Sequence, residues 1–210
     1  MCLDVGYLCL RLSFSSTMHE VSRLLQAAAA LSELLRDAGV PHAFYGNVLT
    51  AVLSKAPMAD EICVIVEGGA VHPFRRVRQA CAGNEDFSIV TSPWSNRSSL
   101  HVKYQRLIPP IDIEILIAGE EGPRRLDSST VMAVGRVPFL TITEFIRAKL
   151  KAWSIRALDR DAQDITFAMS RYWNRVDINR IPEQEMNDFA ARFPAVAPSW
   201  QELKRKYGIS

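Results

Sequence analysis

The chain has 210 residues, 48% of them hydrophobic and 23% charged, and its 25 Lys and Arg against 23 Asp and Glu leave a formal net charge of +2. That balance excludes wholesale disorder, and the length is enough for one domain whose core needs no disulfide staples. A charge this small excludes a strongly electrostatic nucleic-acid or membrane-surface protein, while leaving room for a local basic cleft.

Residues 1–14 are apolar, but Asp4 and Arg11 interrupt them and no basic stretch leads a clean apolar run, so they do not read as a signal peptide. Residues 1–17 are expected to form an arm ahead of the domain. No run reaches the roughly 18 apolar residues of a membrane span. From 18 to 38, Val21, Leu24, Leu25, Ala28, Leu31, Leu34 and Leu35 recur at helical spacing, and Gly39 and Pro41 end the helix. His42 to Tyr45 reads as a short strand, broken by Gly46-Asn47, with a short helix over 48–55. Glu61 to Val66 is a β-branched buried strand closed by Gly68-Gly69. Residues 71–81 form an amphipathic helix carrying Arg75, Arg76 and Arg78, which read as a solvated face. Strands are expected at 86–91, 99–106 and 111–118; in the last, Ile111, Ile113, Ile115 and Ile117 alternate with Asp112, Glu114 and Leu116.

A Gly-, Pro- and charge-rich loop follows at 119–130. Pro138-Phe139-Leu140 then leads into Thr141-Ile142-Thr143-Glu144, a helix-start signal. Helices are expected at about 142–154, 159–172, 182–192 and 198–206. The layout is α+β: a small mixed sheet flanked by helices over 18–140, and a helical half over 141–210 packed on it. The cysteines at 2, 9, 63 and 81 lack zinc or redox spacing and read as buried thiols in a reducing, cytoplasmic setting. The histidines at 19, 42, 72 and 101 have no metal-binding spacing either.

Three features carry candidate chemistry. Gly46-Asn47 stands at a strand-to-helix turn, where backbone N–H groups cradle anions. Asp60 begins one strand, while Asp112 and Glu114 share a face of another; carboxylates converging from neighbouring strands suit Mg²⁺. Arg147, Lys149 and Lys151 precede Arg160, Asp161 and Asp164 on a helix pair, an ion-paired junction in which Lys149 or Lys151 is the cation to face an anion.

The order helix, His42-Ala43-Phe44-Tyr45-Gly46-Asn47, short helix, Asp60-Glu61-Ile62-Cys63-Val64-Ile65-Val66, then Ile111-Asp112-Ile113-Glu114-Ile115-Leu116 resembles the DNA polymerase β-like nucleotidyltransferase superfamily. The stretch from Phe139 through Arg147-Ala148-Lys149-Leu150-Lys151-Ala152-Trp153 to Asp164-Ile165 is similar to the helices that follow the catalytic sheet in its small antibiotic- and toxin-type members. Together these pieces cover roughly residues 20–175. The family pattern is a Gly-Gly or Gly-Ser turn, then Asp-x-Asp on a strand, then a third acid from a later strand. The resemblance matches Gly46 to the turn, with Asn47 in place of Gly or Ser. It matches Asp60 to the first acid and Ile62 to the second, and Asp112 or Glu114 to the third. Glu61 would substitute only through a bulge, because a one-residue shift turns a strand side chain to the other face.

Loss of the second acid removes a bridging ligand from a two-metal site. The leading expectation is therefore a nucleotidyltransferase-like fold repurposed as a metal-independent enzyme. It would hold a small organic metabolite for cyclisation, isomerisation or elimination. Asp60, Asp112, Glu114 and Lys149 are its catalytic candidates; Tyr45, Gly46, Asn47, Met58, Ile62 and Lys103 are its substrate-binding candidates, with Phe44 helping to shape an apolar cleft. No cofactor is expected on this reading, and neither a membrane nor a nucleic acid as partner. The alternative is Mg²⁺-dependent transfer of a nucleoside monophosphate to a small-molecule or protein hydroxyl, with Asp60, Glu61 and Asp112 or Glu114 as metal ligands. A third reading is a non-catalytic binding module.

Overall fold

The computed structural model describes residues 5–55, 61–90, 99–120 and 122–209, with side chains from residue 19 onward. In chain order the elements are α1 (Val5–Asp37), β1 (His42–Tyr45), α2 (Asn47–Ser54), β2 (Glu61–Val66), α3 (Pro73–Cys81), β3 (Phe87–Val90), β4 (Ser99–Tyr104) and β5 (Ile111–Ile117). There follow β6 (Val131–Val134), β7 (Val137–Leu140), α4 (Ile142–Arg156), α5 (Asp159–Tyr172), α6 (Glu183–Arg192) and α7 (Ala197–Lys206). The seven strands form one mixed sheet in the order β3-β4-β5-β2-β1-β7-β6. β2 runs parallel to β5 and β1 parallel to β7, while β1–β2, β3–β4, β4–β5 and β6–β7 are antiparallel. The protein is thus α+β, with seven helices and a seven-stranded mixed sheet among the described residues.

Alternation sorts the central strands onto two faces. Ile62, Val64 and Val66 of β2, Ile111, Ile113 and Ile115 of β5, and Leu100, Val102 and Tyr104 of β4 belong to the main core. Leu24, Ala27, Ala28, Leu31 and Leu35 of α1 and Phe74 and Val77 of α3 belong to the same core. So do Phe145, Ile146 and Leu150 of α4 and Trp200 and Leu203 of α7, so both halves of the chain share it. The other face of the sheet carries a smaller cluster: Ala43, Tyr45, Ile65, Leu116 and Leu140 meet Ala148 of α4, with Cys63, Leu126 and Val131 at its edge. The loop after β5 lies on this face. Gly122, at φ +70°, sits so close to it that a Cβ would stand 2.7 Å from Ile65 Cδ1.

α4 starts as its sequence signal predicts, with Thr141 Oγ1 accepting from the Glu144 N–H at 3.4 Å. It ends on Ala157 in the left-handed region, whose N–H donates to Trp153 O. That short turn brings α5 back against α4. One element was not anticipated. Residues 131–140 form a hairpin around Gly135-Arg136, with Gly135 at φ +63°. Its β7 adds a parallel strand beside β1. Pro138 argues against a strand in sequence, yet it lies in a four-residue strand paired to Ala133.

Ile62 is fully buried in the main core. Replacing it with alanine is expected to cost about 2–5 kcal/mol, the usual range for such truncations. Urea unfolding monitored by circular dichroism reads this directly, and an unchanged midpoint would contradict the placement.

Candidate functional site

The register of β1, β2, β5 and β4 builds rows of side chains across the second face. Tyr45 stands opposite Cys63, Cys63 opposite Glu114, and Glu114 opposite His101. One step toward the strand ends, Glu61 pairs with Asp112 and Asp112 with Lys103. Above the first row is a cleft of about 310 Å³ lined by Tyr45, Gly46, Asn47, Glu61, Cys63, Ser99, Glu114, Leu116, Ala148, Lys149, Ala152, Arg156, Arg160 and Asp161. Most of these groups are polar or charged, so the cleft is not the apolar one expected for a nonpolar metabolite.

Glu61, Cys63 and Glu114 each offer a ligand atom, and these atoms lie within 4.8 Å of one another. The thiol of Cys63 faces Glu114 Oε2 at 3.9 Å. Burial holds the Glu61 pKa above its ordinary value, and the Glu114 carboxylate adds to the effect. Burial likewise pushes the Cys63 thiol up, reinforced by Glu114 and Glu61, so it stays protonated at neutral pH. Arg160 opposes both shifts with its positive field. The cluster is thus a concentration of negative charge and lone pairs facing a cationic wall.

Gly46 makes the turn beside it, at φ +75° and ψ −150°, a conformation open mainly to glycine. A Cβ there would lie 3.7 Å from Cys63 Cβ, so the backbone runs close to the cluster. α2 begins at Asn47 with no side-chain cap, and Asn47 lines the cleft.

Lys149 is the anchor of the far wall. Its Nζ donates to Asp161 Oδ1 at 2.9 Å and lies 2.7 Å from Asp164 Oδ2, the latter an ion pair without hydrogen-bond geometry. All three side chains are buried. Asp164 Oδ1 accepts from Thr50 Oγ1 at 2.7 Å, and Arg156 Nη2 approaches Asp161 Oδ2 at 3.4 Å. Five residues therefore lock α4, α5 and α2 together at the edge of the cleft.

The structure brings Tyr45, Gly46, Asn47, Glu114 and Lys149 around one cleft. Asp112 and Lys103 share the face but pair with each other at 3.2 Å, half-exposed and outside the cleft lining. Ile62 is corrected: it points to the opposite side and is core, as is Phe44, so neither shapes the cleft. Asp60 and Met58 lie outside the described residues. β2 pairs with β1 and β5 without a bulge, so Glu61 and Cys63 share the face of the cleft while Ile62 faces the core. Arg156 and Arg160 were not singled out as cleft residues. Helical spacing paired Arg160 with Asp164, but Lys149 takes Asp164 from the neighbouring helix.

No protein-family model matches the sequence, and none of the curated proteins compared is similar to it. Among solved structures, JHP933 from Helicobacter pylori aligns with a TM-score of 0.53 at 15% identity, covering 88% of this chain and 78% of that one. This likeness shows a shared fold. Two weaker likenesses are a putative nucleotidyltransferase from H. pylori and the antibiotic-resistance factor ANT(2'')-Ia. The first has a TM-score of 0.49, 15% identity, and coverage of 86% and 80%. The second has a TM-score of 0.47, 9% identity, and coverage of 90% and 98%. No helix among the described residues is long and apolar enough to cross a membrane.

Lys149→Met strands two buried aspartates and is expected to destabilise the fold by about 3–5 kcal/mol in urea unfolding, as when one partner of a buried ion pair is removed. Glu61 has a folded-state pKa above its unfolded one. Its stabilising contribution is therefore complete below pH 4.5, its ordinary value, and is lost as pH rises through the raised value. Glu61→Gln is expected to flatten that part of the stability–pH curve, so a curve identical to wild type would contradict the partial desolvation that raises this carboxyl's pKa.

Proposed function

We propose that the cleft carries out nucleotidyl transfer, moving a nucleoside monophosphate from a nucleoside triphosphate to a hydroxyl on a small molecule or protein. The observation that carries the reading is the convergence of Glu61, Cys63 and Glu114 beside the Gly46 turn. The donor set fits one divalent cation. Two carboxylates offer hard oxygen ligands, and a thiol in place of a third acid favours a softer ion such as Mn²⁺ or Zn²⁺ over paired Mg²⁺. When bound, such an ion supplies Lewis-acid stabilisation of charge on the transferring phosphoryl oxygens.

The chain's own residues supply the rest. The first N–H groups of α2 at Asn47 hold phosphate oxygens, and the glycine at 46 lets that backbone approach the ligand. Arg156 and Arg160 neutralise the triphosphate from the α4–α5 side. Lys149 acts as a positioning residue through its two aspartates, since its ammonium is already compensated. The acceptor hydroxyl gives up its proton to water as its oxygen bonds to the α-phosphorus, the bond from the α-phosphorus to the oxygen bridging to the β-phosphate breaks, and pyrophosphate leaves with that electron pair.

A second reading is metal-independent acid–base catalysis on a small polar metabolite, and the raised pKa of Glu61 favours it. A carboxyl held above its ordinary range is better matched to proton transfer near neutrality, with Glu114 as its partner.

Calorimetric titration with ATP, GTP, CTP and UTP, each with Mg²⁺, with Mn²⁺ and with chelator, separates the two. Nucleotidyl transfer predicts binding of at least one nucleotide that requires metal, is tighter with Mn²⁺, and weakens more than about tenfold in Glu114→Gln. It also predicts that Cys63→Asp improves the Mg²⁺-supported affinity. Absence of metal-dependent binding to all four overturns it and leaves the acid–base reading.

A further inference from the structure

We propose that the cavity between the loop after β5, α4 and the single turn Ile178–Arg180 is a second, separate binding site that takes the phosphate group of a phosphorylated ligand. The cavity measures about 530 Å³, and its wall includes Arg124, Arg125, Arg147, Lys151 and Arg180, opposed by Asp127. These cations come from three parts of the chain: the loop, one side of α4, and the turn before α6.

The electrostatics are lopsided. Glu144, fully buried behind the wall, is shared by two guanidinium groups, with Arg147 Nη1 at 3.0 Å and Arg180 Nη2 at 2.6 Å. One carboxylate compensates one of them. Lys151 Nζ donates to the Glu120 carbonyl at 3.0 Å, a contact that leaves its charge unbalanced. Arg124 and Arg125 are exposed and have no ion-pair partner among the described residues. Asp127 spends its carboxylate on the Ser129 N–H at 2.8 Å and hydroxyl at 2.6 Å, and those hydrogen bonds hold its pKa below the ordinary value. The lining thus holds five cations against the single carboxylate of Asp127, with Glu144 behind it shared by two of them.

The wall is also fixed in place. Glu144 orients both arginines from the start of α4. Arg180 Nη1 further donates to the Ser129 carbonyl at 3.0 Å, and Thr130 Oγ1 to the Arg125 carbonyl at 2.9 Å. Planar guanidinium forks held in this way pair two N–H groups with two oxygens of one anion, and a phosphate ester supplies both the oxygens and the double charge. The volume exceeds that of a lone phosphate, so the rest of a phosphorylated molecule has room beside it. The site does not depend on the reading of the Glu61–Glu114 cleft. Lys149 and Ala152 line that cleft, whereas Arg147 and Lys151 line this cavity.

The test is calorimetric titration of the full chain with inorganic pyrophosphate. Arg124→Gln/Arg125→Gln changes two exposed loop side chains and is expected to keep the wild-type unfolding temperature while weakening binding by about tenfold or more. Chelator is present throughout, because pyrophosphate is also the leaving group of the proposed transfer and metal would carry it into the other cleft; under these conditions Arg160→Gln reports whether pyrophosphate lodges in that cleft instead, and is expected to retain the binding. Affinity should also fall as salt rises. Displacement by a nucleoside diphosphate and not by single-stranded RNA would identify a small phosphorylated ligand; displacement by RNA would identify a nucleic-acid phosphate. Either supports the anion site. No binding to wild type, binding unchanged in the double variant, or loss in Arg160→Gln alone overturns it.

Discussion

The parallel pairing of β2 with β5 is the constraint on which the site depends. Glu61 opposite Asp112 and Cys63 opposite Glu114 follow from one register, and so does the burial of Ile62 beside Ile113. The two faces cannot be adjusted separately. A slip of one residue would carry Ile62 and Val64 out of the core and drive the Glu61 carboxylate into it. Burying apolar side chains of this size stabilises a fold by about 1.5–3 kcal/mol each. The β-branched run of β2 therefore specifies the register, and the register places the carboxylates and the thiol. Packing energy on one side of the sheet sets the chemistry on the other.

The opposite wall is held by charge. The Lys149 cluster joins three helices through one ammonium, two carboxylates and the Thr50 hydroxyl. Such a buried group is costly to assemble and costly to break, which gives the cleft rigidity where its floor is a strand and its roof a helix pair. Arg147 and Lys151 on another side of α4 point to the cationic cavity, with Glu144 as the shared counter-ion of two arginines. α4 thus forms part of two polar concavities of unlike character. One has acids and cations facing each other across a Gly46 turn, and the other is cationic nearly throughout.

Much of this was legible in the chain. The helices were marked by periodicity and stops: Leu24, Leu31 and Leu35 on α1 with Gly39 behind them, and Thr141 ahead of α4. The alternation of Asp112 and Glu114 with isoleucines fixed the face of β5. The face of Ile62 was misread because the resemblance aligned it with an acid position of the cleft. A signal against it was present. If Ile62, Val64 and Val66 are the buried set, then Glu61 and Cys63 must share the other face. The β6–β7 hairpin was obscured by its four-residue strands and by Pro138. The ion-paired junction of this helix pair was legible in the clustered cations and acids, but not which cation takes which acid, because helical spacing paired Asp164 with Arg160 on its own helix whereas Lys149 reaches it from the preceding one.

The central claim is that Glu61, Cys63 and Glu114 act as one cation site. Titration of the full chain with Co²⁺, read in the near-ultraviolet, tests it most directly, because a cation that binds Cys63 displaces its proton, and the resulting cobalt-bound thiolate gives a charge-transfer band that carboxylates do not. The account predicts such a band in the wild-type protein and its loss in both Cys63→Ser and Glu114→Gln, with the fold intact. A wild-type protein without the band, or a band that survives Cys63→Ser, would contradict it.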